Sequence, residues 1–115
     1  MKVAVIGSRG LCVEDLSPFL CEGDEIVSGG ARGIDACAAA YARHHGHTLT
    51  VFPPDYKSYG RAAPLVRNRQ IVDYADRVIA FWDGSSRGTR AVIEYARVTG
   101  TPCKVVWLST MPDSS

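Results

Sequence analysis

The chain has 115 residues, 46% of them hydrophobic, and a formal net charge of +1. That length suits one domain, able to bury roughly two thirds of its unfolded surface. No apolar run reaches the ~18 residues of a membrane span, and the start is too short for a signal peptide, so the expectation is a cytoplasmic protein with no membrane partner.

The predicted elements alternate without repeats or linkers. Residues 3–6 (Val-Ala-Val-Ile) are a short apolar run ended by Gly7, as expected of a strand buried on both faces. A short helix is predicted over 13–21, limited by Ser17-Pro18. Residues 25–28 read as a second strand. A helix over 33–45 carries Ile34, Ala38, Tyr41 and Ala42 on one face, and Gly46 supplies a left-handed cap.

Residues 48–52 alternate polar and apolar, which predicts an edge strand. A long loop over 53–60 leads to a helix over 62–75. Residues 77–82 form another fully apolar strand. A helix over 86–99 is stopped by Gly100 and Pro102, and 104–108 is the last strand. The domain thus spans 1–108, and 109–115 reads as a frayed tail.

Strands alternating with helices predict an α/β fold, a five-stranded parallel sheet with helices on both faces. The most apolar strands, the first and fourth, belong in the centre and the third at an edge, so the order is 3-2-1-4-5. The chain then reverses direction between strands 1 and 4, and ligands bind outside the carboxyl ends of strands at such a point.

Three breaker-rich turns fall on that edge: Gly7-Ser8-Arg9-Gly10, Ser28-Gly29-Gly30-Ala31-Arg32-Gly33-Ile34-Asp35, and Asp83-Gly84-Ser85-Ser86-Arg87-Gly88-Thr89. Each runs from a strand towards a helix, so backbone N–H groups and positive helix ends face one crevice. Glycine lets a backbone approach an anion closely, and each turn contains an arginine suited to phosphate. These residues are the expected phosphate site. Neither GxGxxG nor GxxxxGK[ST] is present.

Arg67-Asn68 adds to it. Leu65, Asn68 and Val72 share a helix face, which puts a polar residue on an apolar stripe. Asp35 either complements the helix dipole, holds a ribose hydroxyl or fixes Arg32. Tyr56, Tyr59 and Trp82 either pack or stack on a base.

The four cysteines, Cys12, Cys21, Cys37 and Cys103, have no CxxC spacing and read as reduced apolar residues. Arg43-His44-His45-Gly46-His47 is read as a helix end rather than a metal site. No metal or obligate cofactor is expected, and no catalytic residue can be assigned. The near-neutral charge argues against a nucleic-acid partner. An apolar helix face near Tyr95 and Val98 points to a homodimer.

Taken together, Val5-Ile6-Gly7-Ser8-Arg9, the turn Ser28 to Asp35, Arg67-Asn68 and the turn Asp83 to Thr89 resemble the SLOG superfamily. That group of Rossmann-like domains includes the DNA-processing protein A family and the Lonely Guy phosphoribohydrolases. The resemblance covers about residues 2–108 and implies a nucleotide or nucleotide-derived ligand. It carries Gly7, Ser8 and Arg9 to the first loop and Gly29, Gly30, Gly33 and Asp35 to the second. Arg67 and Asn68 correspond to its basic helix, and Gly84, Gly88 and Thr89 to its phosphate-binding turn. The hydrolases carry a glutamate just after the threonine. Here Arg90-Ala91-Val92-Ile93 follows Thr89, and Glu94 reads as an ion-pair residue. A binding module is therefore the first expectation, with an N-glycosidase and a single-stranded DNA-binding module as alternatives.

Overall fold

A computed structural model describes residues 1–8, 11–13, 15–30 and 33–108. Arg9, Arg32 and the tail expected over 109–115 lie outside the described residues. The strands are β1 (Lys2–Gly7), β2 (Glu25–Ser28), β3 (Leu49–Val51), β4 (Arg77–Trp82) and β5 (Cys103–Trp107). They form one parallel sheet in the order β3-β2-β1-β4-β5, as the sequence predicts. Four α-helices accompany them among the described residues: α1 (Ile34–His45), the single turn α2 (Tyr56–Tyr59), α3 (Ala63–Tyr74) and α4 (Arg87–Thr99).

The period-two geometry of a strand sends alternate side chains to opposite faces, and here both faces are buried. Val3, Val5, Ile26, Ile79 and Phe81 meet Ile34, Ala38 and Tyr41 of α1 on one face. Ala4, Ile6, Val27, Val78 and Ala80 meet Ile71 and Val72 of α3 and Val92, Ile93 and Ala96 of α4 on the other. The two central strands keep only their first and last residues partly accessible. Edge strand β3 leaves Val51 exposed.

The helix expected over 13–21 does not form among the described residues. A turn at 17–19 replaces it, with the Phe19 N–H donating to the Leu16 carbonyl at 2.9 Å. The Asp15 carboxylate accepts from the Ser17 N–H at 3.0 Å. Pro18 has no N–H to offer a helix and disfavours helical geometry at Ser17. The segment covers the sheet all the same: Leu11 and Leu16 are buried, and Phe19 meets Phe81 edge-on at 5.3 Å.

Other boundaries shift for local reasons. Part of the loop expected over 53–60 is α2, because the Asp55 carboxylate caps it by accepting from the Ser58 N–H. Leu65 is 44% exposed, so the apolar stripe drawn through Leu65, Asn68 and Val72 is corrected. The buried face of α3 runs through Ala63, Ile71 and Val72. Gly46 does cap α1 in the left-handed conformation. His45 stacks on Tyr41, and His47 Nδ1 lies 2.8 Å from the Asp24 carbonyl.

The reading of all four cysteines as reduced is also corrected. Cys12 and Cys37 form a disulfide, while Cys21 and Cys103 are free. Pairing is decided by proximity, and the 5.9 Å between these Cα atoms arises only when the chain after β1 folds across α1.

At the amino end of the sheet, the Glu25 carboxylate accepts from the Tyr74 hydroxyl at 2.6 Å and the Thr50 hydroxyl at 2.7 Å. These bonds tie β2, β3 and α3 together. They also hold the Glu25 carboxyl below its ordinary range, the Tyr74 hydroxyl contributing most. A depressed folded-state value means the stabilisation is present above the ordinary glutamate range and is lost as pH falls through the folded value. Glu25→Gln should lower stability at neutral pH and flatten the acid limb, as read by urea denaturation across pH.

A second prediction concerns the end of β1. A Cβ at Gly7 would sit 2.4 Å from Ile34 Cγ1 and 2.8 Å from the Phe81 carbonyl oxygen. Gly7→Ala should therefore cost about 1–3 kcal/mol through overpacking, read as a lower urea midpoint at unchanged slope.

Candidate functional site

A cleft of about 420 Å³ opens at the carboxyl edge of the sheet, where the chain leaves β1 and β4. Its apolar floor is Ile6, Ile71 and Val92, with Pro64 at the start of α3. Its polar wall is built from Ser8, Asp35, Arg67, Asn68, Asp83, Ser86 and Thr89, with backbone from Gly7 and Gly88. Nine of the expected site residues thus share one cavity. The floor and Pro64 are not recognisable as site residues in the sequence, because apolar residues there look like any core.

The two central strands set the frame. The Ser8 N–H donates to the Phe81 carbonyl at 3.1 Å, and the Asp83 N–H reaches Ser8 Oγ at 3.4 Å. The turn after β4 is organised by one carboxylate oxygen. Asp83 Oδ1 accepts from the N–H groups of Ser85 at 2.9 Å and Ser86 at 3.0 Å, and from the Ser85 hydroxyl at 3.2 Å. The two backbone bonds hold the Asp83 carboxyl below its usual range. Ser86 then caps α4: its Oγ accepts from the Thr89 N–H at 3.4 Å and donates to Thr89 Oγ1 at 3.2 Å. The positive end of α4 meets the cleft beside three hydroxyls, those of Ser8, Ser86 and Thr89.

Arg67 projects from α3 across the cleft. Its Nη1 donates to the Gly29 carbonyl at 2.6 Å and its Nε to Asn68 Oδ1 at 2.8 Å. Among the described residues no carboxylate forms an ion pair with it. A Cβ at Gly29 would lie 2.5 Å from Arg67 Nη1, so a side chain there would displace the guanidinium from its present position.

Of the described residues of the second loop, only Asp35 lines the cleft. Ser28 is buried and accepts from the Gly30 N–H at 3.2 Å, while Gly30 and Gly33 take positive φ. Gly33 is the residue at which α1 begins. In the third turn, Gly84 is at positive φ under the Trp107 ring, Ser85 serves Asp83, and Arg87 is exposed.

Other expected contributors sit elsewhere. Trp82 donates its indole N–H to the Ser86 carbonyl and packs on Trp107 at 5.0 Å, so it is a packing residue. Tyr56 and Tyr59 are exposed on α2, away from the cavity wall. Glu94 pairs with Arg90 at 3.2 Å on the exposed side of α4, as its spacing predicts, and lies outside the cleft. The carboxylates inside it are Asp35, which is buried, and Asp83.

No helix among the described residues is long and apolar enough to cross a membrane. No curated protein matches the chain by sequence. Among solved structures, DNA processing protein A from Helicobacter pylori is similar in fold, with a TM-score of 0.69 at 23% identity over 91% of this chain. The chain spans 64% of that protein's length. Its structure is described in terms of a single-stranded DNA binding mode. This overturns the expectation, drawn from net charge, against a nucleic-acid partner. Charge summed over a whole chain does not report the charge at one edge of it. Residues 1–59, from β1 through α2, match the model of the YspA, cpYpsA-related SLOG family, and the chain belongs to that family.

Proposed function

We propose that the cleft binds a nucleotide or a nucleotide-derived phosphate, in a sensing or carrying role. The observation that carries this reading is Arg67, held at the cavity wall by Gly29 and Asn68 and not neutralised by a carboxylate among the described residues. A phosphate beside it would also meet the hydroxyls of Ser8, Ser86 and Thr89 and the positive end of α4. Asp35 and Asp83 repel phosphate, so they suit the sugar hydroxyls at the other side of the ligand. With no carboxylate directly after Thr89, and with Glu94 outside the cleft, binding is favoured over N-glycosidic cleavage.

A second reading is that the same groups hold the backbone phosphates of single-stranded DNA. The likeness to DNA processing protein A favours it. Calorimetry with nucleoside monophosphates, beside fluorescence anisotropy with a labelled oligothymidylate, separates the two. Tight nucleotide binding with weak, salt-sensitive oligonucleotide binding supports the first, and the reverse supports the second.

Two substitutions test the site itself. Arg67→Ala removes a charge-assisted contact of about 1.5–3 kcal/mol, so affinity should fall roughly ten- to hundredfold. Gly88→Ala is the cleaner probe. A Cβ there meets nothing within 4 Å in the free protein, and glycine is a poor helix former. The melting point should hold or rise while ligand affinity falls about tenfold or more. Unchanged affinity in both variants would remove the phosphate reading.

The apolar face expected near Tyr95 and Val98 is divided. Tyr95 gives its hydroxyl to Asp73 at 2.9 Å, whereas Val98 is 84% exposed. A homodimer through the face near Tyr95 and Val98, with Leu65 beside it, is still proposed, and light scattering showing only monomer at high micromolar concentration would exclude it.

A further inference from the structure

The Cys12–Cys37 disulfide is not buried in the core: Cys12 is exposed and Cys37 only half-buried. A cavity of about 350 Å³ lies against it, lined by both cysteines, Ala40, Tyr41, His44 and His45. Its walls are firm, because His45 stacks on Tyr41 at 4.1 Å and Tyr41 belongs to the core. Exchange requires a thiolate to reach a sulfur, so access decides whether a disulfide is inert.

We propose that Cys12–Cys37 is an exchangeable disulfide, attacked through this cavity by an external dithiol, and that its state governs the rigidity of the two segments it joins. The incoming thiolate forms a bond to Cys12 Sγ with its electron pair. The Cys12–Cys37 bond breaks, its pair leaves on Cys37 Sγ, and that thiolate takes a proton from water. The second thiol of the dithiol then attacks the mixed disulfide and releases Cys12. The protein bond is reduced by two electrons and the dithiol is oxidised to its own disulfide.

Two features set the direction of attack. Cys12 is the more exposed of the two residues. Cys37 is in the first turn of α1, where the helix dipole stabilises a leaving thiolate, although Asp35 in the same turn opposes this. Cys12 itself lies in irregular chain.

The position gives the bond a consequence. Cys12 follows Ser8 by four residues and Cys37 follows Asp35 by two, and both Ser8 and Asp35 line the cleft. Gly33 gives α1 no side-chain cap, and the disulfide adds to the packing of Ile34 on Gly7 in tying that turn. Leu11 and Leu16 remain packed on the sheet when it opens, so the fold survives.

The test uses the intact, oxidised chain in native buffer with dithiothreitol, followed by alkylation and peptide mapping. Cys12 and Cys37 should become alkylated about tenfold or more faster than the chain unfolds globally, with unchanged far-UV circular dichroism. Hydrogen exchange should rise severalfold over residues 11–13 and 34–37 alone. With glutathione as a monothiol, the trapped mixed disulfide should sit on Cys12. Reduction no faster than global unfolding, absence of the Cys12–Cys37 linkage from the oxidised protein, unaltered exchange at both segments, or trapping on Cys37 would each overturn the proposal.

Discussion

The pairing of β1 with β4 is the constraint on which the rest depends. The two strands run parallel, with Gly7 beside Phe81, yet the chain leaves them for opposite sides of the sheet. The loops that follow therefore diverge and leave a gap at the carboxyl edge. Backbone and hydroxyl bonds from Ser8 to Phe81 and Asp83 hold the two exits in register. Ile34 packs over Gly7, which ties the start of α1 to the same junction.

On the proposed reading, Arg67 converts that gap into a site. A flexible cationic side chain loses rotamer freedom when it takes hold of a ligand, which weakens binding. Here Gly29 and Asn68 have already fixed the guanidinium, so less freedom remains to be lost. The described residues of the second loop contribute this contact and Asp35, although the loop supplies the most glycines of the three.

Charge is divided within the cavity. Asp83 shapes the turn before α4 by accepting three hydrogen bonds on one oxygen, and those bonds hold its carboxyl below the usual range. Arg67 and the positive end of α4 supply the opposite sign. A ligand with an anionic group and a hydroxyl-rich group matches this division better than an anion alone. The Cys12–Cys37 bond lies outside the cavity but joins two segments that feed into it.

Much of the fold was legible in the residues. Continuous apolar runs at 3–6 and 77–82 determined which strands are central, and the alternation at 48–52 determined the edge, because burial on two faces or one imposes those patterns. Breakers after each strand marked the carboxyl-edge turns. What the residues could not decide was anything set by distance across the chain. The 13–21 segment has a helical length and apolar content, yet Pro18 and the packing of Phe19 on Phe81 hold it in a turn. Gly29 looked like a phosphate contact, and only the fold shows that Arg67, 38 residues away, occupies the space. Ile6, Ile71 and Val92 became a cavity floor, and Cys12 met Cys37, for the same reason. Local patterns register how a residue is buried; which partner buries it depends on how the sheet brings distant segments together.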